Sequence, residues 1–561
     1  MNWVIKENND NESVKTLSNE LNISPILSSM LVNRDVKTFD EAKTFFRPNF
    51  EMLHDPFFMK DMSLAVERIQ KAIKKNESIM IFGDYDVDGT SSVALLSLYL
   101  ESLGLIVTKY LPDRKKEGYG ISIKAIEHAF NKKQKLIIAL DCGIKAHKQV
   151  EYAKEKGIEF IICDHHNPDK NLPKALAILN PKRKDCMYPY KELCGCGVGF
   201  KLIQGIETKQ SKDNQIINYL DLVALAIAAD VVPLTGENRV LAFIGLQIIN
   251  SNPRPGVHSL LKKNVKKEYT ISDLMYYVGP RINAAGRMKH ASLALELLIC
   301  NDINSVEKLA LEIEALNTSR RDIEKNIISQ AIEQVDNSSE KLNSIVVFDS
   351  DWNKGVIGIV ASRLVDKYYK PSIVFCESSK GVLTASARSI KGLDLYSVLN
   401  QCKGFIDQFG GHKYAAGLTI KKENLEGFKK HFENIVSQII DKNIFEQELL
   451  IESKINLNEI TPKFFRILKQ FEPFGPGNKS PLFLSENLKT KGKAFELGKE
   501  KEHIKLNLTQ DNKTSYSSIG FWSSNKFNNL ENKENFSAVY NIDENNWKDL
   551  SSIQLKLKDL K

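Results

Sequence analysis

Residues 78–104 read SIMIFGDYDVDGTSSVALLSLYLESLG, and this stretch decides the fold. Ser78 to Phe82 is a short apolar run of the length and composition of a buried strand. Gly83 to Gly89 turns the chain, and Thr90 or Ser91 is placed to cap a helix from Val93 to Leu103 that stops at Gly104. The pattern then repeats. Val107 to Leu111 and Leu136 to Leu140 read as strands, the second closed by Asp141, and a helical pattern lies around Ile121 to Phe130. Phe160 to Cys163 is a further strand, closed by Asp164-His165-His166. Strands alternating with helices imply a parallel sheet covered on both faces. Ligands of such sheets bind at the carboxyl ends of the strands, where all these acidic clusters fall.

Outward from this core, residues 11–60 read as short helices, with Asp40-Glu41-Ala42-Lys43 followed by the breaker Arg47-Pro48. Leu222 to Ala229 is an apolar helix ending at Asp230. From Ile303 to about Val335 the spacing of Val306, Leu309, Ala310, Ile313 and Leu316 predicts a long amphipathic helix. A second α/β unit follows, with strands Ser344 to Phe348 and Pro371 to Phe375 around a helix from Ile357 to Tyr369. Gly410 to Gly417 reads as a glycine-rich turn. Beyond residue 450, short alternating strands with basic turns such as Lys489 to Lys493 predict a small β-barrel. The expected class is multidomain α/β. Its divisions are a helical cap (1–60), a catalytic domain (61–240), a connecting helical region (241–340), a second α/β lobe (341–448) and a barrel (449–561).

The bulk numbers fit this. A chain of 561 residues is too long for one core. Apolar and charged fractions of 42% and 26% are those of an ordinary globular protein. A net charge of +8 permits a polyanionic partner without demanding one. Among eight cysteines only Cys194 and Cys196 are close, a poor zinc signal, so a reducing, cytoplasmic setting is expected. The start, MNWVIKENNDNE, has no secretory apolar region, and no run approaches a membrane span.

The chemistry lies in four sites: Asp84-Tyr85-Asp86-Val87-Asp88-Gly89, Asp141-Cys142-Gly143, Asp164-His165-His166 and Asp230. The first could be an acidic surface loop. It also matches the opening of a calcium-binding EF-hand, but the twelfth residue of such a loop would be Leu95 instead of glutamate. Asp141 could simply cap a helix, and a lone histidine is more often structural than a ligand. Together, carboxylates and imidazole without sulfur suit a pair of Mg²⁺ or Mn²⁺ ions, and paired metals hydrolyse phosphate esters. Two arginines in Arg281-Ile282-Asn283-Ala284-Ala285-Gly286-Arg287, together with Ser386-Ala387-Arg388 and the turn at His412, offer phosphate contacts. Singly, each of these reads as a solvated loop or a salt bridge. No nucleophile elbow and no P-loop is present.

These residues resemble the DHH phosphoesterase superfamily, and within it the branch of bacterial single-strand-specific exonucleases. IFGDYDVDG (81–89), ALDCG (139–143), CDHH (163–166) and ADVVPL (229–234) resemble the four metal motifs in order. GPRINAAGRM (279–288), GVIGIVASRL (355–364), SARS (386–389) and FGGHKYAAG (409–417) resemble motifs of that branch and its DHHA1 lobe. FEPFGPGN (471–478) resembles the start of its OB-fold domain, so the likeness runs from about residue 30 to the end.

The resemblance implies a 5′→3′ exonuclease that degrades single-stranded DNA to mononucleotides in recombination and repair. It implies two divalent ions, Mn²⁺ or Mg²⁺, held by Asp86, Asp88, Asp141, His165 and Asp230, with Asp141 bridging. Asp84 and His166 would lie at or just behind the ions, His166 near the scissile phosphate. Arg281, Asn283, Arg287 and His412 would hold phosphates, and Arg114, Ser386 and Arg388 the DNA 5′ end. Phe521, Trp522 and Trp547 are candidate base-stacking residues, with core packing as the alternative. The expected partners of this monomer are single-stranded DNA, a single-strand-binding protein and a helicase.

Two departures stand out. Asn353 follows Trp352 where the family often has histidine, and the chain stops after the barrel-like region, where some relatives carry a further domain. Two other readings stay open. One is a small-substrate DHH enzyme, such as an oligoribonuclease, a cyclic-dinucleotide phosphodiesterase or a pyrophosphatase, which would not need the barrel. The other is a non-catalytic DNA-binding scaffold, which loss of carboxylates would signal.

Overall fold

The computed structural model describes residues 2–7, 10–114, 116–210, 214–338, 342–439, 448–528, 535–547 and 550–561. Two compact units divide them: Trp3–Pro280 with Ala294–Glu307 and Leu449–Lys561, and Asn2 and Arg281–Leu293 with Lys308–Glu448.

The larger unit holds most of β1 (Asn2–Ile5) and the parallel sheet expected from the opening stretch. Its strands are β2 (Ile79–Gly83), β3 (Val107–Tyr110), β4 (Leu136–Leu140), β5 (Glu159–Cys163) and β6 (Ala177–Leu179), in the order β3-β2-β4-β5-β6. All four pairings are parallel, and β2 and β4 are buried at every position, as their unbroken apolar runs require. The helix after β2 starts earlier than the sequence suggests. It spans Val87–Ser102, and its N-cap is Asp86, whose carboxylate accepts the Gly89 N–H at 3.0 Å. Asp88 therefore sits in the first helical turn and not in a loop.

The smaller unit holds β7 (Ile345–Phe348), β8 (Ser372–Ser379), β9 (Val382–Arg388), β10 (Gln408–His412) and β11 (Ala415–Lys421) in the order β10-β11-β9-β8-β7. Only β7 and β8 run parallel. The segment read as a glycine-rich turn is instead a β10–β11 hairpin, in which Gly410 faces Gly417 and Gly411 faces Ala416. Small residues pairing across two strands look like a turn in one dimension. Likewise Arg281 to Arg287 are not in a loop but on the helix Gly279–Met288. The helix Ile303–Asp336 has the expected extent, 34 residues.

The C-terminal segment opens with β12 (Glu448–Ile451), which pairs with β1. β13 (Ser453–Lys454), β14 (Phe483–Thr490), β15 (Phe495–Leu497), β16 (His503–Thr509), β17 (Ser515–Gly520), β18 (Phe536–Trp547) and β19 (Leu550–Leu560) follow. They run in the order β14-β18-β19-β17-β16, and a β14–β16 pairing closes the barrel. A parallel β17–β19 contact inside an otherwise antiparallel closed sheet of this order is an OB-fold. The barrel does not stand alone. Leu17, Leu27, Met30 and Leu31 of the N-terminal helices share one hydrophobic core with Phe464, Phe471, Phe483 and Leu506. Arg239, only 5% exposed, ties this core to the rest of the unit. Its guanidinium donates to the carbonyls of Phe45, Gln470, Phe471 and Glu472.

Candidate metal centre and nucleic-acid interfaces

The carboxyl ends of the parallel strands carry the acidic motifs into one place. Asp84 follows β2, Asp141 follows β4, and Asp164, His165 and His166 follow β5. Asp230 is the last residue of the helix Leu220–Asp230. Asp84, Asp88, Asp141, Asp164 and His165 are buried. Asp141 takes a left-handed backbone, φ 60°, rare for a residue with a side chain and common at functional sites.

Two groups of potential ligand atoms, each within 4.8 Å, form here: Asp141 with His165 and His166, and Asp88 with His165 and Asp230. His165 belongs to both. Its Nε2 lies 3.2 Å from Asp141 and 3.6 Å from Asp230, yet neither ring nitrogen makes a hydrogen bond, and Asp84 Oδ1 is likewise buried without one. No cysteine enters either group. Asp84 and Asp86 lie outside both groups but act on them through charge.

The electrostatics calls for positive charge. Burial and the neighbouring Asp86 push Asp84 up to about 8 and Asp230 up to about 7. Burial raises Asp88 and Asp141 as well, and Asp141 feels Asp88, Asp86, Asp230 and Asp84 together. His165 is held neutral, pulled down to about 3 by burial and by His166. Carboxylates that repel one another in a buried site, beside a neutral imidazole with unpaired nitrogens, fit hard divalent cations.

Backbone amides set the geometry of this cluster. At the start of the helix Gly195–Gln210, the Gly195 and Cys196 N–H groups donate to the two Asp88 oxygens, each at 2.7 Å. A Cβ on Gly195 would fall 2.5 Å from Asp141 Cβ, so only glycine lets this helix start approach both aspartates. Asp164 is a hub: it accepts the Ile144, His165 and His166 amides and the His166 ring Nδ1–H at 2.7 Å. Burial is the largest single effect on both and would raise Asp164 and lower His166, but it is outweighed by their mutual bond and attraction together with the amides on Asp164 and the charges of Asp230 and Asp88 near His166, so Asp164 is lowered and His166 raised. Gly195 and Cys196 carry no sequence signal, because the Asp88 carboxylate that their amides meet lies more than a hundred residues away, and of the groups that make Asp164 a hub only the Ile144 amide is distant. Tyr119 was also missed. Its hydroxyl lies 3.2 Å from His166 Nε2, and its only trace in sequence is the pair of flanking glycines.

Arg114 belongs to the same unit, its guanidinium 4.9 Å above the Tyr85 ring. The remaining phosphate candidates lie in the smaller unit. Ser386 and Arg388 are two apart on β9, so they share a face, and Arg388 donates to the Ser386 hydroxyl at 3.0 Å. The register pairs His412 with Ala415 and Ala415 with Arg388, which places His412 on that face two strands, about 10 Å, away. Gly410 and Gly417 continue the adjacent row to Ser386, so no bulky side chain stands between these polar groups. Arg287 donates to the Gly355 carbonyl at 2.7 Å, and Asn283 is partly exposed on the same helix. Arg281 is buried, its Nε 2.5 Å from Glu314. Asn353, standing where the family often has histidine, caps a turn by accepting the Gly355 N–H at 2.8 Å.

The barrel presents a second candidate surface. Register places Leu497 opposite His503, and Phe495, Lys505, Ile519 and Lys556 in one row across β15, β16, β17 and β19. Phe521 and Trp522 are 53% and 75% exposed, and His503 packs edge-on to both rings at 5.2 and 5.0 Å. The Trp547 side chain lies outside the described residues.

Three family profiles match the chain: the DHH family N-terminal domain over residues 78–227, the DHHA1 domain over 322–438, and the RecJ OB domain over 451–559. The chain is 35% identical to the single-stranded-DNA-specific exonuclease RecJ of Bacillus subtilis, covering 100% of this chain and 70% of that one. It is 33% identical to the Escherichia coli protein of the same name, covering 82% and 83%. Among solved structures, RecJ of Thermus thermophilus in complex with Mn²⁺ superposes with a TM-score of 0.86 at 25% identity, covering 100% of this chain and 79% of that one. With its DHH, DHHA1 and OB folds, its ordered metal-capable motifs and these likenesses, the chain belongs to the RecJ family of DHH proteins.

Proposed function

We propose that this protein is a single-strand-specific 5′→3′ exonuclease that hydrolyses DNA to mononucleotides, using two Mn²⁺ or Mg²⁺ ions, in cytoplasmic recombination and repair. The observation that carries this reading is the pair of ligand groups sharing His165, whose ring nitrogens are buried and without hydrogen bonds. Asp86, Asp88, Asp141, His165 and Asp230 are the assigned ligands, with Asp84 beside them. Bound there, two divalent ions supply Lewis-acid stabilisation of charge on the phosphoryl group and activation of water. The chain's own residues do the rest. The Gly195 and Cys196 amides keep the Asp88 carboxylate fixed, and the Asp164 hub orients His166 with an Nε2 that faces away from the hub. His166 then serves as the group that meets the scissile phosphate.

Arg281, Asn283, Arg287 and His412 are assigned to phosphates along the strand, Arg281 with Glu314 as its counterion. Arg114, Ser386 and Arg388 are assigned to the 5′ end. Exposed aromatic rings interleaved with lysines on the barrel suit stacking of any base with phosphates alongside. A small-substrate phosphodiesterase would not need that surface, and a non-catalytic scaffold would not keep every carboxylate. Single-strand-binding protein and a helicase are the proposed partners, and the working form is a monomer. Among the described residues no helix is long and apolar enough to cross a membrane.

The deciding experiment presents 5′-labelled single- and double-stranded DNA, RNA dinucleotides and pyrophosphate to the chain with Mn²⁺. Release of 5′ mononucleotides from single strands is expected, and Asp86→Ala or Asp141→Ala should abolish it with the fold intact. Preference for RNA dinucleotides would overturn the exonuclease reading, and full activity in either variant would overturn the ligand assignment.

A further inference from the structure

Tyr119 belongs to none of the acidic motifs, yet the fold delivers its hydroxyl to His166 Nε2 at 3.2 Å. The two residues beside it make this possible. Gly118 and Gly120 take φ values of 83° and 81°, a left-handed conformation that glycine adopts without strain. The base of the loop is pinned by Glu117, which accepts from Tyr110 Oη at 2.8 Å, Ser122 Oγ at 2.6 Å and the Asp113 amide at 3.1 Å. A pinned loop with two left-handed glycines presents one side chain, and that side chain reaches the imidazole.

His166 is thereby held at both ring nitrogens. Nδ1 donates to Asp164, itself anchored by three backbone amides, and Nε2 meets the phenol. The two rings are tilted 74° to each other with centroids 6.0 Å apart, so the contact is made by the hydroxyl and not by stacking. A phenol both donates and accepts, so it serves Nε2 whether that nitrogen carries a proton or not. Tyr119 as a whole remains 60% exposed.

We propose that Tyr119 is a positioning residue: its hydroxyl sets the plane and direction of His166 Nε2, and holds that ring in place while a strand is bound. This rests on the exonuclease reading for the role of His166, but the contact itself does not.

Tyr119→Phe keeps the ring and deletes only the hydroxyl. In metal-free protein carrying ¹⁵N-labelled histidine, with the His166 signals identified by their loss in His166→Gln, the Nε2 resonance should move and Nδ1 should stay. An unmoved Nε2 overturns the proposal. In digestion of single-stranded DNA, Tyr119→Phe should lower kcat about tenfold, the loss expected for one hydrogen bond to a charged group, with KM and Mn²⁺ affinity unchanged. Combined with His166→Gln it should cause no further loss, because it acts through that ring. Wild-type kcat in Tyr119→Phe, or additive losses in the double variant, overturns it too. A wild-type chain inactive on single strands would defeat the exonuclease reading instead, and the nitrogen resonance would still decide Tyr119.

Discussion

Gly195→Ala tests whether the two central aspartates are held by close packing. Gly195 begins the helix Gly195–Gln210 and has no left-handed φ, so alanine suits its backbone and is the better helix former. Any loss must come from the added methyl. That carbon would lie 2.5 Å from Asp141 Cβ, 2.7 Å from its Oδ1 and 2.8 Å from its Cα. Carbon atoms rest at about 3.5–4.0 Å, so something must move by about 1 Å. Asp141 is poorly placed to yield, since its φ of 60° is already a strained choice. If the helix start retreats instead, the Gly195 and Cys196 amides leave Asp88. Both routes displace a proposed metal ligand, and a misplacement of about 1 Å is worth on the order of 100-fold in rate. The expected result is a loss of that size in kcat on labelled single-stranded DNA. Weaker Mn²⁺ binding by titration calorimetry should accompany it, with destabilisation of about 1–3 kcal/mol from overpacking. A folded Gly195→Ala protein with wild-type kcat and wild-type Mn²⁺ affinity would refute the reasoning.

Arg239→Ala should destabilise the larger unit by about 2–3 kcal/mol, read as a drop in melting temperature, because it strands the buried Phe471 carbonyl and three part-buried ones. A melting point within a degree of wild type would show that those bonds add little. Glu472 is pushed up to about 7, by burial first and then by Glu268, Asp543 and Glu544, against the opposing effect of Lys469. The folded state then keeps a proton that an unfolded carboxyl, near 4.3, has lost. Stability from this group is present below about pH 4 and falls as pH rises to about 7. Glu472→Gln should therefore stabilise at pH 8 relative to pH 5, and an equal effect at both values would exclude the titration. Phe521→Ala, in an Asp86→Ala background that cannot digest the ligand, should weaken single-strand affinity by about 1–3 kcal/mol in fluorescence anisotropy. An unchanged Kd would remove the barrel face from the DNA path.

The sheet of the larger unit was legible because its signals are local. Ile79 to Phe82 and Leu136 to Leu140 are apolar at every position, as strands buried on both faces must be, and Asp84 and Asp141 stand just beyond their ends. The helix start was misplaced by several residues because Asp86 serves as its N-cap, which a motif read as a ligand set does not reveal. The β10–β11 hairpin was misread because glycines and alanines that pair across strands carry no alternation of their own.

By itself, the sequence determined which residues are candidates for the chemistry and that strand ends would present them, since hydrophobic periodicity and residue type are properties of short stretches. Tertiary structure alone decided what holds those residues still. The Gly195 and Cys196 amides reach Asp88 across more than a hundred residues, Tyr119 reaches His166 from another loop, and the N-terminal helices complete the core of the C-terminal barrel. Such contacts depend on close approach between distant segments, and packing at that range leaves no periodic mark in the chain.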